Sequence, residues 1–309
     1  MLFYILALFT ILKVARAAAT IHQQVQTTIL SPAQVDSFKP YTFYAAAAYC
    51  QPSKTLTWSC GAYCAGNPTF QPYASGGNGS DIQFWYVGWD PALSSVIVTH
   101  QGTDPTKFRA LLTDAFLLRG RLDPGLFPGL PSSITVHRGF ASEHARTAPV
   151  ILTAVRTLLT QHGASSVVLV GHSLGAALAL LDGLYLSLQL PATHPGTRLR
   201  VVGYGMPRVG NHAFADYVDA AFGIYGRSVT RINNKKDPIP SLPDQSVGYV
   251  HASGEVHIQS TGGAWLACPG QENPSPLCSD GAVPHWFRGN IFNHLGPYPD
   301  RIQMGIGQC

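Results

Sequence analysis

The sequence has little charge. Only 12% of the residues are Asp, Glu, Lys or Arg, the formal net charge is +4, and the basic residues form no block. Nucleic-acid-binding domains carry clustered basic residues, so nucleic acid is not an expected partner. Hydrophobic residues make up 46% of the chain, which is enough to bury a core, so intrinsic disorder is not expected either.

Long apolar runs are also scarce, and the one near the amino terminus, residues 2–12, is too short to cross a bilayer. Lys13 and a segment of small residues follow it, and cleavage after Ala17 or Ala19 suits a signal peptidase. No basic residue precedes the run, which is unusual for a signal peptide. We predict a signal peptide at residues 1–19, one domain at residues 20–309, and a secreted, extracellular protein.

The cysteines lack the paired C-x-x-C spacing of zinc sites, so no metal is expected. Their number in the mature chain is even, which in a secreted protein indicates disulfides. Many pairings are possible, but local spacing favours Cys60–Cys64 and Cys268–Cys278, leaving Cys50 with Cys309. One glycosylation sequon, at Asn78, lies in a Gly-rich loop.

No repeat or long linker divides the chain, and strand-like and helix-like segments alternate along it. This alternation predicts an α/β fold with a mostly parallel central sheet and helices on both faces. Strands are predicted at residues 82–88, 95–100, 134–137, 166–170, 199–204 and 228–232, and helices at 142–162, 174–190 and 212–222. Residues 260–309, rich in Gly and Pro, are expected to be loops held by cysteines.

The chemistry centres on Gly171-His172-Ser173-Leu174-Gly175, which follows a buried strand and leads directly into a helix. G-x-S-x-G alone is a weak signal, but this strand–turn–helix context is the one that a nucleophile elbow requires. We therefore predict an α/β-hydrolase fold with Ser173 as nucleophile. The alternative is a Gly-rich turn with an inert serine.

The acid and base of a triad should follow the serine in the order Asp, then His. Asp237 follows the strand at residues 228–232 and is the predicted acid, with Asp244 as its rival. His294, in an irregular segment near the end of the chain, is the predicted base, with His285 as its rival. Other aspartates fall in predicted helices, where we expect capping or surface positions: Asp182, Asp216 and Asp219. His251 and His257 fit an ordinary strand.

An oxyanion hole needs two N–H donors, one from the residue after the nucleophile, here Leu174. The second should come from a loop after an earlier strand, where Gly102 permits a turn and Thr103 offers both its N–H and its hydroxyl. The alternative is an ordinary turn at the end of a strand.

Together these segments resemble the class 3 lipases, a filamentous-fungal triacylglycerol lipase family that also contains feruloyl esterases. The similarity runs from about Tyr41 to Cys309 and rests on the ordered motifs at residues 136–140, 171–175, 204–211, 237–240 and 293–296. The resemblance implies a catalytic triad of Ser173, Asp237 and His294, with Thr103 in the oxyanion hole. It also implies a disulfide from the first helix to the C-terminus, in agreement with Cys50–Cys309.

In the resembling lipases a mobile lid follows the oxyanion residue. Here Asp104 and Pro105 suit a helix start and Gly120 a helix end, and Phe108, Leu111 and Leu112 share the apolar face between them. The alternative is a helix that packs permanently on the core. The chain is thus expected to be a monomeric, cofactor-free triacylglycerol lipase that contacts lipid surfaces transiently. Alternatives are an esterase for soluble or cell-wall feruloyl esters and a non-catalytic binding protein.

Overall fold

The computed structural model describes residues 26–104, 118–306 and 309. A nine-stranded mixed sheet forms its centre, in the order β1-β11-β10-β9-β8-β7-β4-β3-β2. Its strands are β1 (Thr28–Ile29), β2 (Gln71–Gly76), β3 (Trp85–Asp90), β4 (Ser95–His100), β7 (Ser166–His172), β8 (Arg198–Tyr204), β9 (Arg227–Asn234), β10 (Glu255–Ile258) and β11 (Trp265–Cys268). Strands β5 (Arg119–Gly120) and β6 (Val136–His137) pair separately.

The central strands β4, β7, β8, β9 and β10 are parallel, and the strands at both edges run antiparallel. Their carboxyl ends therefore lie along one edge of the sheet, which is where open α/β sheets usually place a functional site. The mostly parallel sheet predicted from the sequence is confirmed.

Helices cover both faces of this sheet. They are α1 (Pro32–Asp36), α2 (Lys39–Ala47), α3 (Pro52–Leu56), α4 (Gly61–Ala65), α5 (Arg138–His162), α6 (Leu174–Gln189), α7 (His212–Phe222), α8 (Ser279–Ala282) and α9 (Ile291–Leu295). Single turns of 3₁₀ helix occur at Ile239–Ser241, Gln245–Val247, Trp286–Arg288 and Pro299–Arg301.

Two apolar clusters hold the layers together because successive side chains of a strand point to opposite faces. In β4, Val96 and Val98 pack with α5 and α6, whereas Ile97 packs with α2 on the other face. Both faces are buried, which explains why the central strands read as continuous apolar runs rather than alternating ones.

Some sequence-based boundaries are wrong. Helix α5 begins at Arg138 instead of residue 142, because the His137 side chain accepts from the Phe140 N–H and caps the first turn despite Gly139. Arg119 and Gly120 form strand β5 rather than the end of a helix. Strand β11 lies within the region expected to be loops, since a short strand between Gly-rich turns carries almost no periodic signal.

Three disulfides join Cys50 to Cys309, Cys60 to Cys64, and Cys268 to Cys278, the pairs expected from the sequence. The first closes nearly the whole chain into a loop, which lowers the entropy of the unfolded state. The Asn78 side chain of the sequon is exposed, and its Oδ1 accepts from the N–H groups of Ser80, Asp81 and Ile82.

Two sequence predictions lie outside the described residues. These are the signal peptide at residues 1–19 and the lid residues Phe108, Leu111 and Leu112. Within the described ranges, no helix is long and apolar enough to cross a membrane.

Candidate active site

Ser173 stands at the turn between β7 and α6. Its backbone has φ 59° and ψ −129°, a conformation that non-glycine residues rarely adopt. Such strain costs about 1–3 kcal/mol and persists only where the surroundings enforce it. Here the Ser173 N–H donates to the Tyr204 carbonyl at 2.8 Å, which ties the turn to the next strand. The serine side chain is buried, and its Oγ has no hydrogen-bond partner among the described residues.

The two glycines of the elbow are required by close backbone contacts. A Cβ on Gly175 would lie 2.7 Å from the carbonyl oxygen of Gln101, the residue that follows β4. A Cβ on Gly171 would lie 2.6 Å from the Ala176 nitrogen of the first turn of α6. Any side chain at either position would therefore push strand and helix apart. This lack of space explains why both positions of the motif are glycine.

Asp237 and His294 meet at the carboxyl edge of the sheet. Nδ1 of His294 lies 2.8 Å from Oδ2 of Asp237, and both side chains are almost fully buried. The other oxygen of Asp237 accepts the Ile239 N–H at 2.8 Å. A carboxylate can only accept, so the proton of this pair is on Nδ1, and Nε2 is left as the basic nitrogen of the imidazole.

Gly205 makes room for this pair. It follows β8, has φ +53°, and a Cβ there would lie 2.7 Å from Nδ1 of His294 and 2.8 Å from Oδ2 of Asp237. Since the residue before it, Tyr204, accepts the Ser173 N–H, Gly205 connects the serine turn to the Asp–His pair. Gly205 belongs to the motif at residues 204–211, but no role was predicted for it from the sequence.

His172 links the elbow to the segment that carries His294. The two imidazole rings lie 4.3 Å apart between centroids, and Nε2 of His172 donates to the His294 carbonyl oxygen at 2.9 Å. Burial and the neighbouring His294 hold the pKa of His172 well below its usual range, so the ring is neutral. Its Nδ1 therefore accepts from the Tyr49 hydroxyl, 2.6 Å away. Neither role was predicted from the sequence.

The rivals of the predicted acid and base lie elsewhere. Asp244 caps the turn Gln245–Val247 by accepting the Ser246 N–H at 2.8 Å. His285 is exposed and stacks on Phe287, with 5.3 Å between ring centroids. His251 is buried, and its Nε2 donates to the Pro240 carbonyl oxygen. The structure brings Asp237 and His294 together and leaves these residues apart from them.

The expectation that Asp182 caps a helix or faces solvent is wrong. It is fully buried in α6, with Oδ2 2.6 Å from Nε2 of His100 and Oδ1 2.9 Å from Nε2 of His144. Burial raises the pKa of Asp182, but the two histidines outweigh this effect and hold it at about 2. The cluster joins the end of β4, which precedes the loop of Gly102 and Thr103, to α5 and α6.

The predicted oxyanion donors lie beside the serine. Leu174 is the first residue of α6, so its N–H has no acceptor within the helix. Gly102 brings the other loop close, because a Cβ there would lie 2.9 Å from Cβ of Ser173. The next residue is Thr103, whose buried Oγ1 has no hydrogen-bond partner among the described residues. Gln101 fixes this loop to Phe84 through its N–H and its Oε1.

Among the described residues, one group of side chains has the closeness that a metal site requires: Glu255, Cys268 and Cys278. Both cysteines are joined in a disulfide, so neither can supply the thiolate that a metal would bind. A serine in a strained turn and a buried Asp–His pair are the groups that nucleophilic catalysis by serine uses.

Comparison with known proteins gives consistent matches. Residues 97–247 match the family described as Lipase (class 3). The chain is 33% identical to the secreted mono- and diacylglycerol lipase MDL2 of Malassezia globosa over 216 residues, 69% of this chain and 67% of that protein. It is 30% identical to a lipase of Rhizopus niveus over 286 residues, 90% of this chain and 66% of that protein. The chain thus spans about two thirds of the length of these relatives.

The fold has solved counterparts as well. The structure of a lipase from Rhizopus microsporus var. chinensis superposes with a TM-score of 0.78 at 27% identity, covering 94% of this chain and 95% of the other. The α/β-hydrolase fold predicted from the elbow is confirmed by this likeness. The sequence matches and the shared fold agree with the resemblance noted in the sequence, and the chain belongs to the class 3 lipase family.

Proposed function

We propose that the chain hydrolyses carboxylic esters through a triad of Ser173, Asp237 and His294. The observation that carries the proposal is the buried Asp237–His294 contact of 2.8 Å. The pair packs against Gly205 at the carboxyl edge of the sheet. The residue before Gly205, Tyr204, accepts the N–H of Ser173 in the strained turn.

The reaction follows from the positions of the protons. Nε2 of His294 takes the proton of Ser173 as Oγ attacks the ester carbonyl, and Asp237 holds the tautomer and stabilises the imidazolium. The N–H groups of Leu174 and Thr103 stabilise the negative oxygen, and the helix N-terminus at Leu174 adds to this. The alcohol leaves with the proton from His294, and water activated by His294 then releases the acid from Ser173.

We propose acylglycerols as the substrate class and the extracellular medium as the place of action. The support is that relatives at 30% identity and above bear the names lipase and secreted mono- and diacylglycerol lipase. In this proposal residues 1–19 are removed as a signal peptide and residues 20–309 form one catalytic domain. We also propose that the segment with Phe108, Leu111 and Leu112, which lies outside the described residues, acts as the lid and makes the transient contact with lipid.

The rate of tributyrin hydrolysis, measured across the solubility limit of tributyrin, tests this proposal. We expect the rate to jump when droplets form, because apolar side chains of the proposed lid segment gain burial at an interface and not in water. Replacing Phe108 and Leu112 by serine should blunt that jump more than it slows hydrolysis of dissolved p-nitrophenyl butyrate. A smooth saturation curve, with faster turnover of dissolved feruloyl esters, would instead identify a soluble esterase.

A further inference from the structure

Three aromatic side chains near His294 are exposed within a short stretch of chain. Phe292 is 73% exposed, Phe287 is 65% exposed and Trp286 is 38% exposed. The rings of Trp286 and Phe287 are in contact, with 6.1 Å between centroids. Exposed aromatic residues that occur together, rather than singly, mark interaction surfaces. We call these three residues the aromatic patch.

The aromatic patch is held against the corner of the chain that carries Asp237. The Asn290 N–H donates to the Lys236 carbonyl oxygen at 2.7 Å, and Oδ1 of Asn290 accepts the Phe292 N–H at 3.0 Å. Gly289 packs so closely that a Cβ would lie 2.6 Å from Cβ of Pro238. The exposed rings therefore have a fixed position relative to the Asp237–His294 pair.

Two exposed basic residues accompany the aromatic patch. Arg288 lies between Phe287 and Phe292 in the chain, and Lys236 accepts the hydrogen bond from Asn290; both side chains are exposed. Residues 281–299 contain no aspartate or glutamate. Two acids lie close to this stretch: Asp280, which Arg208 engages at 2.8 Å, and Asp244, which interacts electrostatically with Arg208 and His285. We call Lys236 and Arg288 the basic rim.

Aromatic rings beside lysine and arginine suit one kind of partner, a lipid surface that carries negative charge. Tryptophan and phenylalanine enter the interfacial layer, while the cations contact anionic head groups or the carboxylates of released fatty acids. We propose that the aromatic patch and the basic rim form a fixed docking surface for an anionic lipid interface. This inference rests on the proposed function and deepens it, because it states how the active site is turned toward its substrate.

The position of the surface supports this orientation. His294 is in α9 with Phe292, and Lys236 follows β9 at the carboxyl edge of the sheet, where Ser173 also lies. Another exposed apolar pair, Ile224 and Tyr225, precedes β9 and is therefore at the opposite edge. Docking through the aromatic patch directs the serine turn to the lipid, whereas docking through Ile224 and Tyr225 would direct it away.

Vesicle binding by the Ser173→Ala protein tests the proposal without turnover. Its flotation with vesicles of phosphatidylcholine, alone and mixed with phosphatidylserine, is compared with that of three double variants in the same background. Phe287→Ser with Phe292→Ser should weaken binding to both vesicles about tenfold. Lys236→Gln with Arg288→Gln should weaken only binding to the anionic vesicles, by about tenfold, and should abolish its sensitivity to salt.

The matched control is Ile224→Ser with Tyr225→Ser, which removes exposed apolar surface of similar size and should bind as the parent does. Circular dichroism establishes that each variant is folded, and the charge pair decides the question if the aromatic pair does not fold. The proposal would be overturned if the aromatic-patch variant and the basic-rim variant both bound vesicles as the parent does. It would also be overturned if the control variant lost as much binding as they do. Because no ester is cleaved in this assay, a failure of acylglycerol hydrolysis in the wild-type protein would be seen separately.

Discussion

Nε2 of His172 donates to the main-chain oxygen of His294 at 2.9 Å, so the residue before the proposed nucleophile holds the segment of the proposed base. His172 is neutral and buried, and its other nitrogen accepts from Tyr49. The geometry of the proposed triad therefore depends on side chains that take no proton in the reaction.

Replacing Tyr49 by phenylalanine should disturb this arrangement. The change leaves Nδ1 of His172 without its donor, which costs about 1–3 kcal/mol in the free energy of unfolding. We expect kcat on a dissolved ester to fall about tenfold with little change in KM. Tyr63→Phe is the matched control, because the Tyr63 hydroxyl donates to the Gln303 carbonyl oxygen away from the site. Equal kcat for both variants would argue against a positioning role.

Gly205→Ala should inactivate the protein by displacing the Asp237–His294 pair. An added Cβ would lie within 2.8 Å of both side chains, and a displacement of about 1 Å can cost about 10²-fold in rate. Gly163→Ala is the control, since Gly163 has φ +57° and open space around it. Both changes place alanine at a similar positive φ and so impose similar backbone strain. A loss of rate that only Gly205→Ala shows is therefore due to contact of the new Cβ with the Asp237–His294 pair, and urea unfolding measures the effect of strain on stability. Full activity of Gly205→Ala would contradict the observed packing.

The choice of Asp237 over Asp244 gives a further prediction. Asp237→Asn should lower kcat about 10⁴-fold, as loss of the triad carboxylate does elsewhere. Asp244→Asn should be mild, because this residue caps a single turn. In the same way His294→Ala should abolish turnover and His285→Ala should not. A reversal of the two aspartate effects in initial-rate assays would require a new assignment.

Asp182→Asn should change how stability depends on pH. The folded pKa of about 2 lies below the unfolded value of 3.8. Ionised Asp182 therefore stabilises the fold fully above about pH 4, and this contribution is lost as the pH falls toward 2. Breaking the buried cluster should cost about 3–5 kcal/mol at neutral pH. Urea unfolding from pH 7 to pH 3 should show a smaller decrease for the variant than for the wild type.

The control for that experiment is Asp216→Asn. Asp216 is exposed in α7, where it faces His212, so its replacement should leave the stability at neutral pH unchanged. If Asp182→Asn were as stable as Asp216→Asn, the carboxylate between His100 and His144 would have no structural role.

The sequence predicted the parts of the site that depend on local order. Ser173 can be proposed as the nucleophile from the sequence because a strand, two glycines and a helix surround it in a short segment. Asp237 and His294 were chosen over Asp244 and His285 by chain order and by resemblance to a family. Their contact itself depends on how β9 and α9 pack, which no local pattern contains.

The features that were missed depend on partners distant in the chain. The burial of Asp182 could not be predicted from its own segment, because its partners His100 and His144 come from β4 and α5, which are distant in the chain. Tyr49 meets His172 only because α2 packs on the face of the sheet behind the elbow. Strand β11 does not stand out in the sequence, because its pairing with β10 and β1, rather than its own residues, makes it a strand.

The kcat of purified Ser173→Ala on dissolved p-nitrophenyl butyrate tests the central claim most directly. In a comparable triad, loss of the nucleophile lowers kcat about 10⁶-fold, and we predict a loss of this order in a protein that remains folded by circular dichroism. Retention of a tenth of the wild-type turnover would show that Ser173 is not the nucleophile.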